Sequence, residues 1–442
     1  MTASETTPYL YTATCMFGLE GLLGEEIDAL GYTRETTMDG RIHFRGDAAA
    51  CARANIGLRY AERLYVTLGS FEARTFDELF EGTKALPWED FIGRNDVFPV
   101  TGHAIKSALF SVPDCQRIIK KAVSVRLGNR YGLTTLPETG TKYRSEFFLF
   151  KDHADLMLEL SGDPLHKRGY RPETVTAPIR ETLAAAMGRM TRPREDVLLW
   201  DPFCGSGTIL IETAMQMCHI APGLHRRFAA ERYPQFPDSV WRDAREEATA
   251  AIRMENGFHA RGTDIDPMCI EIAKNAALRA GVDGHIDFSV CDARAITNPD
   301  CRGTIVTNPP YGERLMTLAD AEQLYREFGE TLRRFPSWQI YILTPDENLP
   351  HLLGRHADKI RKLYNGMIPC YYYQFFKPVS SKPRGYGKPG GDHRANGNDM
   401  PHGSGRAREN GKNGRVFKDR LTEAGREGAR KKAPVTDSNT KE

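Results

Sequence analysis

No run of about 18 apolar residues occurs in the 442-residue sequence, so no segment reads as a membrane-spanning helix. The first ten residues, MTASETTPYL, lack the basic stretch, apolar run and small-residue cleavage site of a secretory signal, and the expected location is the cytoplasm. Cysteine is sparse. The nine residues (Cys15, Cys51, Cys115, Cys204, Cys218, Cys269, Cys291, Cys301 and Cys370) form no C-x-x-C pair, so neither a disulfide framework nor a zinc site is expected, and they read as reduced, mostly core thiols. Net charge is also small, at +2, which at first argues against a nucleic-acid partner.

That average conceals an asymmetry. From Lys377 to Glu442 there are 16 Lys and Arg against 8 Asp and Glu, whereas residues 1–376 carry 44 against 50. Residues 379–442 are rich in Gly, Pro, Asn, Lys and Arg, with Tyr386 and Phe417 as their only aromatics, too little apolar surface to offset ordering entropy. The expectation is a disordered basic tail, fit either to scan nucleic acid through counterion release or simply to keep the chain in solution. The rest has ordinary globular composition, with 40% AVILMFWYC and 27% charged residues over the whole chain, and its length allows two or three cores.

The folded part divides near residue 165. Before it, YLYTAT (9–14) and RIHFRG (41–46) read as strands around an amphipathic helix, 19–31, with Leu19, Leu22, Leu23, Ile27 and Leu30 at helical spacing. A second α+β unit follows, with helical stretches at 76–91 and 115–130 and strands near 97–103, 145–152 and 154–162. Arg117, Lys120, Lys121 and Arg126 would give the second of these helices a basic face.

After residue 165 strands and helices alternate, which predicts an α/β sheet, mostly parallel, with right-handed crossovers. Seven strands are expected at 197–201, 260–266, 286–293, 303–310, 338–345, 359–365 and 368–376, the last two forming a hairpin. Ligands of such sheets sit beyond the carboxyl ends of the strands.

Every informative motif falls at one of those ends. The first strand runs into Asp201-Pro202-Phe203-Cys204-Gly205-Ser206-Gly207-Thr208 and then a helix. Two glycines let the backbone approach a ligand, and the helix N-terminus favours an anionic group. Ile209 and Leu210 stand where a dinucleotide fingerprint has its third glycine, and no G-K-[ST] follows, so the anion need not be a phosphate and an amino-acid carboxylate also suits. The second strand ends at Asp264-Ile265-Asp266, fit to accept from ribose hydroxyls. The third ends at Asp292-Ala293, with a carboxylate suited to an adenine amine. Singly, each acid is more often a strand-end cap or turn former than a ligand; at successive strand ends they describe a nucleoside pocket. Residues 219–253 lengthen the stretch between the first two strands and are expected to form an insertion beside the site.

The fourth strand ends in Asn308-Pro309-Pro310-Tyr311. Two prolines remove two donors and lock the backbone, leaving the Asn308 and Pro309 carbonyls and the Asn308 side-chain oxygen free to face an amino group. Tyr311 offers a flat face to an unstacked base.

DPFCGSGT, the strand-end acids and NPPY resemble motifs of class I S-adenosylmethionine-dependent methyltransferases that act on exocyclic amines. SGDPLHKRGYR (161–171), the API-RETLAAA segment (177–186), APGLH and NPPYGERL are more closely similar to the bacterial large-subunit ribosomal RNA guanine-N2-methyltransferases that carry a THUMP domain. The resemblance covers roughly residues 8–378. It implies a ferredoxin-like segment (1–60), a THUMP RNA-binding domain (61–165), a Rossmann-like class I methyltransferase domain (166–378) and the tail (379–442). It further implies that S-adenosyl-L-methionine is the donor, with its methionine moiety on loop 201–208, its ribose on Asp264 and its adenine by Asp292 and Ala293. Asn308 through Tyr311 would hold the target guanine, and Arg168, Tyr170 and Arg171 would position substrate or cofactor. The partner would be structured RNA, 23S ribosomal RNA or a ribosomal precursor first and transfer RNA as an alternative, with neither membrane nor metal required; oligomeric state is left open. The long members of that family continue into a second methyltransferase domain, whereas here only the tail follows, so no second activity is expected. Rival readings are an adenine-N6 methyltransferase on DNA or RNA, which shares NPPY, a non-catalytic RNA-binding assembly factor, and a nicotinamide-dependent oxidoreductase, which the missing third glycine disfavours.

Overall fold

Two seven-stranded sheets, each backed by helices, carry the chain in a computed structural model that describes residues 8–171, 179–311 and 317–377. The expected tail, the first two residues of the 177–186 motif and the Gly312–Leu315 part of NPPYGERL lie outside the described residues. No described helix is long and apolar enough to cross a membrane.

The first sheet is built from β1 (Tyr9–Cys15), α1 (Glu20–Ala29), β2 (Arg34–Met38), β3 (Arg41–Gly46), α2 (Ala48–Gly57), β4 (Ala61–Glu72), α3 (Phe76–Ala85), β5 (Val100–Ile105), α4 (Val112–Tyr131), β6 (Ser145–Phe150) and β7 (His153–Glu159), in the order β2-β3-β1-β4-β7-β6-β5. The two α+β units expected in this half share that sheet because β4, a 12-residue strand, pairs with β1 on one side and β7 on the other. Its pattern hides it: Glu62, Arg63 and Gly69 interrupt the apolar alternation, and its register shifts near Gly69. The helix α2, AAACARANIG, also lacks an amphipathic signal, since six of its ten residues are buried.

The basic face expected on α4 is largely neutralised. Arg126 pairs with Glu89 at 2.6 Å, Lys120 with Glu138 at 2.6 Å and Arg117 with Asp114, which leaves Lys121 outside these pairs. The partners come from other segments or one helical turn away, so a count of Lys and Arg along one helix could not find them.

The second half comprises α5 (Glu181–Met190), β8 (Leu198–Asp201), α6 (Thr208–Met217), α7 (Asp238–Ala250), β9 (Ala260–Asp264), α8 (Pro267–Ala280), β10 (Ile286–Val290), β11 (Gly303–Thr307), α9 (Leu318–Leu332), β12 (Gln339–Thr344), α10 (Leu349–Leu352), β13 (Lys359–Asn365) and β14 (Ile368–Phe375). Its order, β10-β9-β8-β11-β12-β14-β13, is parallel except for β14, which runs antiparallel to both neighbours and makes the expected hairpin with β13. Strand order reverses between β8 and β11, and the crevice at that reversal is where ligands of such sheets bind.

Residues 219–253 do not lie beside that crevice. They brace the two halves: the Gly223 amide donates to the Ile56 carbonyl at 2.9 Å, Tyr233 stacks on Tyr143 with ring centroids 4.1 Å apart, and α7 packs on α2. Their apolar residues Phe228, Phe236 and Trp241 are buried against the first half, which a search for motifs near the glycine loop could not anticipate.

Candidate active site

The carboxyl ends of β8, β9, β10 and β11 surround a cavity of about 810 Å³, within the range of small-molecule sites. Its wall takes Asp201, Pro202, Phe203, Cys204, Gly205, Ser206 and Thr208 from the first loop, Asp264 and Ile265 from the second, Asp292 and Ala293 from the third, and Asn308 and Pro310 from the fourth. These expected residues meet because three parallel pairings hold adjacent strands in register.

The loop after β8 is shaped by two glycines in the left-handed region, Gly205 (φ 51°) and Gly207 (φ 73°). A Cβ at Gly207 would lie 2.7 Å from the Phe288 ring, so that glycine sets the close packing of the loop on β10 rather than lining the cavity. The Gly205 amide donates to Asp264 at 2.8 Å, and the Asp266 amide donates to the other Asp264 oxygen at 3.0 Å, so the acid that would bind a ribose is held by two backbone donors. A carboxylate has lone pairs beyond those two donors, and Asp264 lines the cavity.

Asp201 is buried beneath the loop, where the Thr307 hydroxyl donates to it at 2.7 Å and the Phe203 amide at 3.1 Å. Burial pushes its carboxyl up to about 7 despite those two donors, with nearby Asp264 adding to the rise. Because the folded value exceeds the ordinary 3.8, the stability held by the neutral acid is full below about pH 4 and is lost as pH rises through about 7. Asp201→Asn keeps the acceptor but removes the ionisation. Its melting temperature in the ligand-free protein should therefore exceed wild type by a margin that grows from pH 4 to pH 7 and then levels; a pH-independent margin would contradict a buried, titrating Asp201.

Asp292 accepts from the Arg294 amide and side chain, the closest contact being 2.6 Å, and Arg294 also reaches Glu327 of α9 at 2.9 Å. Arg294 holds the Asp292 carboxyl below its ordinary value. Arg294 and the α9 residues Asp320, Gln323, Leu324 and Glu327 line the cavity as well, as do Ile179 and Cys269. Sequence reasoning missed them; the DAR triplet after β10 carried a signal for Arg294, whereas the α9 face has none beyond its acids.

Asn308 supplies the most telling atom. Its Oδ1 is buried and has no hydrogen-bond partner among the described residues, a costly state for an amide oxygen unless a ligand donates to it. Tyr311 does not line the cavity: its ring packs on the core and its hydroxyl accepts from Asn365 at 2.8 Å. Pro309 is buried behind the wall. Residues 168–171 also lie outside it. Arg168 and Tyr170 are buried and converge on Glu212 of α6, at 3.4 and 3.0 Å, together with Arg59 from the first half at 3.3 Å. Arg171 bonds the Ile179 carbonyl at 2.9 Å and reaches the Thr208 hydroxyl at 3.5 Å, touching the glycine loop from behind.

Three family models match the chain: an RlmL ferredoxin-like domain over residues 11–65, a THUMP domain over 73–159 and an RMKL-like methyltransferase domain over 168–374. The Bacillus subtilis (strain 168) protein named "Putative RNA methyltransferase YpsC" is 44% identical over 374 residues, which are 84% of this chain and 97% of that one. The chain belongs to the RMKL-like methyltransferases. A second member of the family, "Ribosomal RNA large subunit methyltransferase K/L" of Psychromonas ingrahamii, is 34% identical over 80% of this chain; the match spans 48% of that protein, about half its length. Among solved structures, SMU.472, "a putative methyltransferase complexed with SAH", has a TM-score of 0.79 at 36% identity, covering 85% of this chain and 100% of that one. The Listeria monocytogenes "predicted N6-adenine-specific DNA methylase" has the same TM-score at 43% identity, covering 84% and 97%.

Proposed function

We propose that this methyltransferase moves a methyl group from S-adenosyl-L-methionine to the exocyclic N2 amine of a guanine in RNA, with 23S ribosomal RNA as the first candidate and transfer RNA as the second. The observation that carries the reading is the buried Asn308 Oδ1, unpartnered among the described residues, in the wall of a cavity built from three acid-bearing strand ends. The cavity residues fit the donor: the Ser206 and Thr208 amides at the start of α6 suit an amino-acid carboxylate, Asp201 an ammonium group, Asp264 a ribose and Asp292 with Ala293 an adenine. S-adenosyl-L-methionine would supply a methyl group on a positively charged sulfur.

The residues of the chain do the rest. A guanine N2 amine is a weak nucleophile because its lone pair is delocalised into the ring, so alignment supplies much of the rate. The Asn308 Oδ1 accepts a hydrogen bond from the amine and stabilises the positive charge that develops on nitrogen, while Pro309, buried behind the wall, fixes the turn that aims it. No strong base is needed, since the proton can leave after transfer to water. We assign Tyr311 to holding the Asn-Pro-Pro turn, through Asn365, rather than to stacking, and Arg168, Tyr170 and Arg171 to positioning the glycine loop from behind. The first half, divided from the methyltransferase half near residue 165, would hold structured RNA while the base is drawn out.

Asp264→Ala is expected to weaken S-adenosylhomocysteine binding by about ten- to a hundredfold, as loss of a charged acceptor does; an unchanged dissociation constant by calorimetry would remove Asp264 from the pocket. The function itself is tested by incubating the protein with labelled donor and RNA from a strain lacking the gene, then digesting to nucleosides. N2-methylguanosine is the expected product. N6-methyladenosine would instead support the adenine reading, which shares the Asn308-to-Tyr311 motif and accords with the Listeria relative's name.

A further inference from the structure

The turn between β13 and β14 projects past the rest of the second sheet on the cavity side. Thr344, the last residue of β12, pairs with Tyr371, so Ile368–Cys370 run on unpaired with β12 for about 10 Å at roughly 3.3 Å per residue, and Gly366 and Met367 close the turn beyond them. Parallel pairing of β11 with β12 puts the start of the Asn308–Tyr311 turn at that same edge, and Asn365 ties the hairpin directly to Tyr311.

Met367 is 95% exposed, the most exposed large apolar side chain among the described residues. Ile368 beside it is 48% exposed. Along β13, Lys362 lies over the Tyr364 ring at 5.9 Å, and Phe17, 55% exposed and contributed by the first half, meets that ring edge-on at 6.0 Å. A Cβ at Gly18 would sit 3.1 Å from the Lys362 carbonyl, so the loop after β1 is packed against this strand. Neither β13 nor β14 contains an acid, whereas β13 carries Lys359, Arg361 and Lys362. Apolar and aromatic groups interleaved with basic ones match a nucleic-acid strand with unstacked bases, whereas a wholly apolar partner would leave three cations unmatched.

We propose that this hairpin is a wedge for the RNA strand that carries the target: Met367 fills the gap that opens when the base leaves its stack for the cavity, and Lys362 takes a neighbouring phosphate. Apolar side chains inserted between bases stabilise such openings in other nucleic-acid complexes. The inference rests on the RNA-methylating function proposed above and deepens it by naming what grips the strand next to the reacting base.

The test compares wild type, Met367→Ala, Met367→Leu and Lys362→Ala on RNA from a strain lacking the gene, with S-adenosylhomocysteine affinity measured by calorimetry in parallel. Met367→Ala should lower kcat/KM for RNA by about tenfold, as loss of one stacking contact does, Met367→Leu should restore most of it, and cofactor affinity should not change. Lys362→Ala should act chiefly on KM and lose its effect at high salt. Full turnover by Met367→Ala beside an active wild type would overturn the wedge and leave the function standing. A wild type that labels no RNA would overturn both. Unchanged turnover with an altered sedimentation coefficient would assign the surface to a second copy of the chain and likewise overturn the wedge. Because Met367 touches solvent, its replacement leaves the core intact.

Discussion

Replacing Asn308 by alanine is expected to lower kcat for RNA methylation by about 10²–10³-fold, the cost of removing one prepositioned group that stabilises charge in the transition state. Binding of S-adenosylhomocysteine should stay within about twofold of wild type, because Asp201, Asp264 and the glycine loop are untouched. The split follows from geometry. Among the described residues nothing donates to Asn308 Oδ1. The amide could be thought to work merely by holding the turn, but the turn is held by its two prolines and by the bond from Asn365 to Tyr311. Asn308→Asp should retain part of the activity, since a carboxylate also accepts from an amine. An alanine variant with near-normal kcat would remove Asn308 from the chemistry.

The second large effect is on stability. Glu212 is fully buried on α6 and answers two buried guanidiniums, Arg59 from the first half and Arg168 from the junction, as well as the Tyr170 hydroxyl. Arg59 also donates to the Ile220 carbonyl at 2.6 Å, and Arg168 to the Arg59 carbonyl at 2.5 Å, so the cluster crosses the boundary near residue 165 several times. Removing one partner of a buried ionic group costs about 3–5 kcal/mol, because the remaining charges stay desolvated. Glu212→Ala should therefore lower the urea midpoint of the whole chain, with cofactor binding lost in step as the N-terminus of α6 loosens. Glu212→Gln should recover only a part, since it restores hydrogen bonds but no counter-charge. A loss below about 1 kcal/mol would show that the cluster is hydrated and does not join the halves.

How legible this was in the sequence depended on whether the cause was local. The glycine loop, the strand-end acids and the Asn-Pro-Pro turn are contiguous motifs at the ends of short β-rich runs, and β8 through β14 fell within a few residues of their expected places. Strand β4 and helix α2 were missed for opposite reasons, one because charged residues and a glycine break its alternation, the other because it is buried nearly all round. Residues 219–253 were placed beside the site because their position between two site strands was visible, whereas their partners, Ile56, Tyr143 and Glu159, are 70 or more residues away in sequence. Arg168 and Tyr170 carried a family signal but no signal of direction: the acid that draws them inward, Glu212, is the one charged residue of α6 and lies more than 40 residues on in the sequence. Tyr311 shows the same limit, since its contact with Asn365 links residues 54 apart.

A crystal of the protein grown with S-adenosylhomocysteine tests the central claim most directly. The account predicts the amino-acid end of the ligand against Gly205–Thr208, its ribose hydroxyls within hydrogen-bond distance of Asp264, and its sulfur opening toward Asn308. A ligand lodged away from the four strand ends, or one whose sulfur faces away from Asn308, would contradict it.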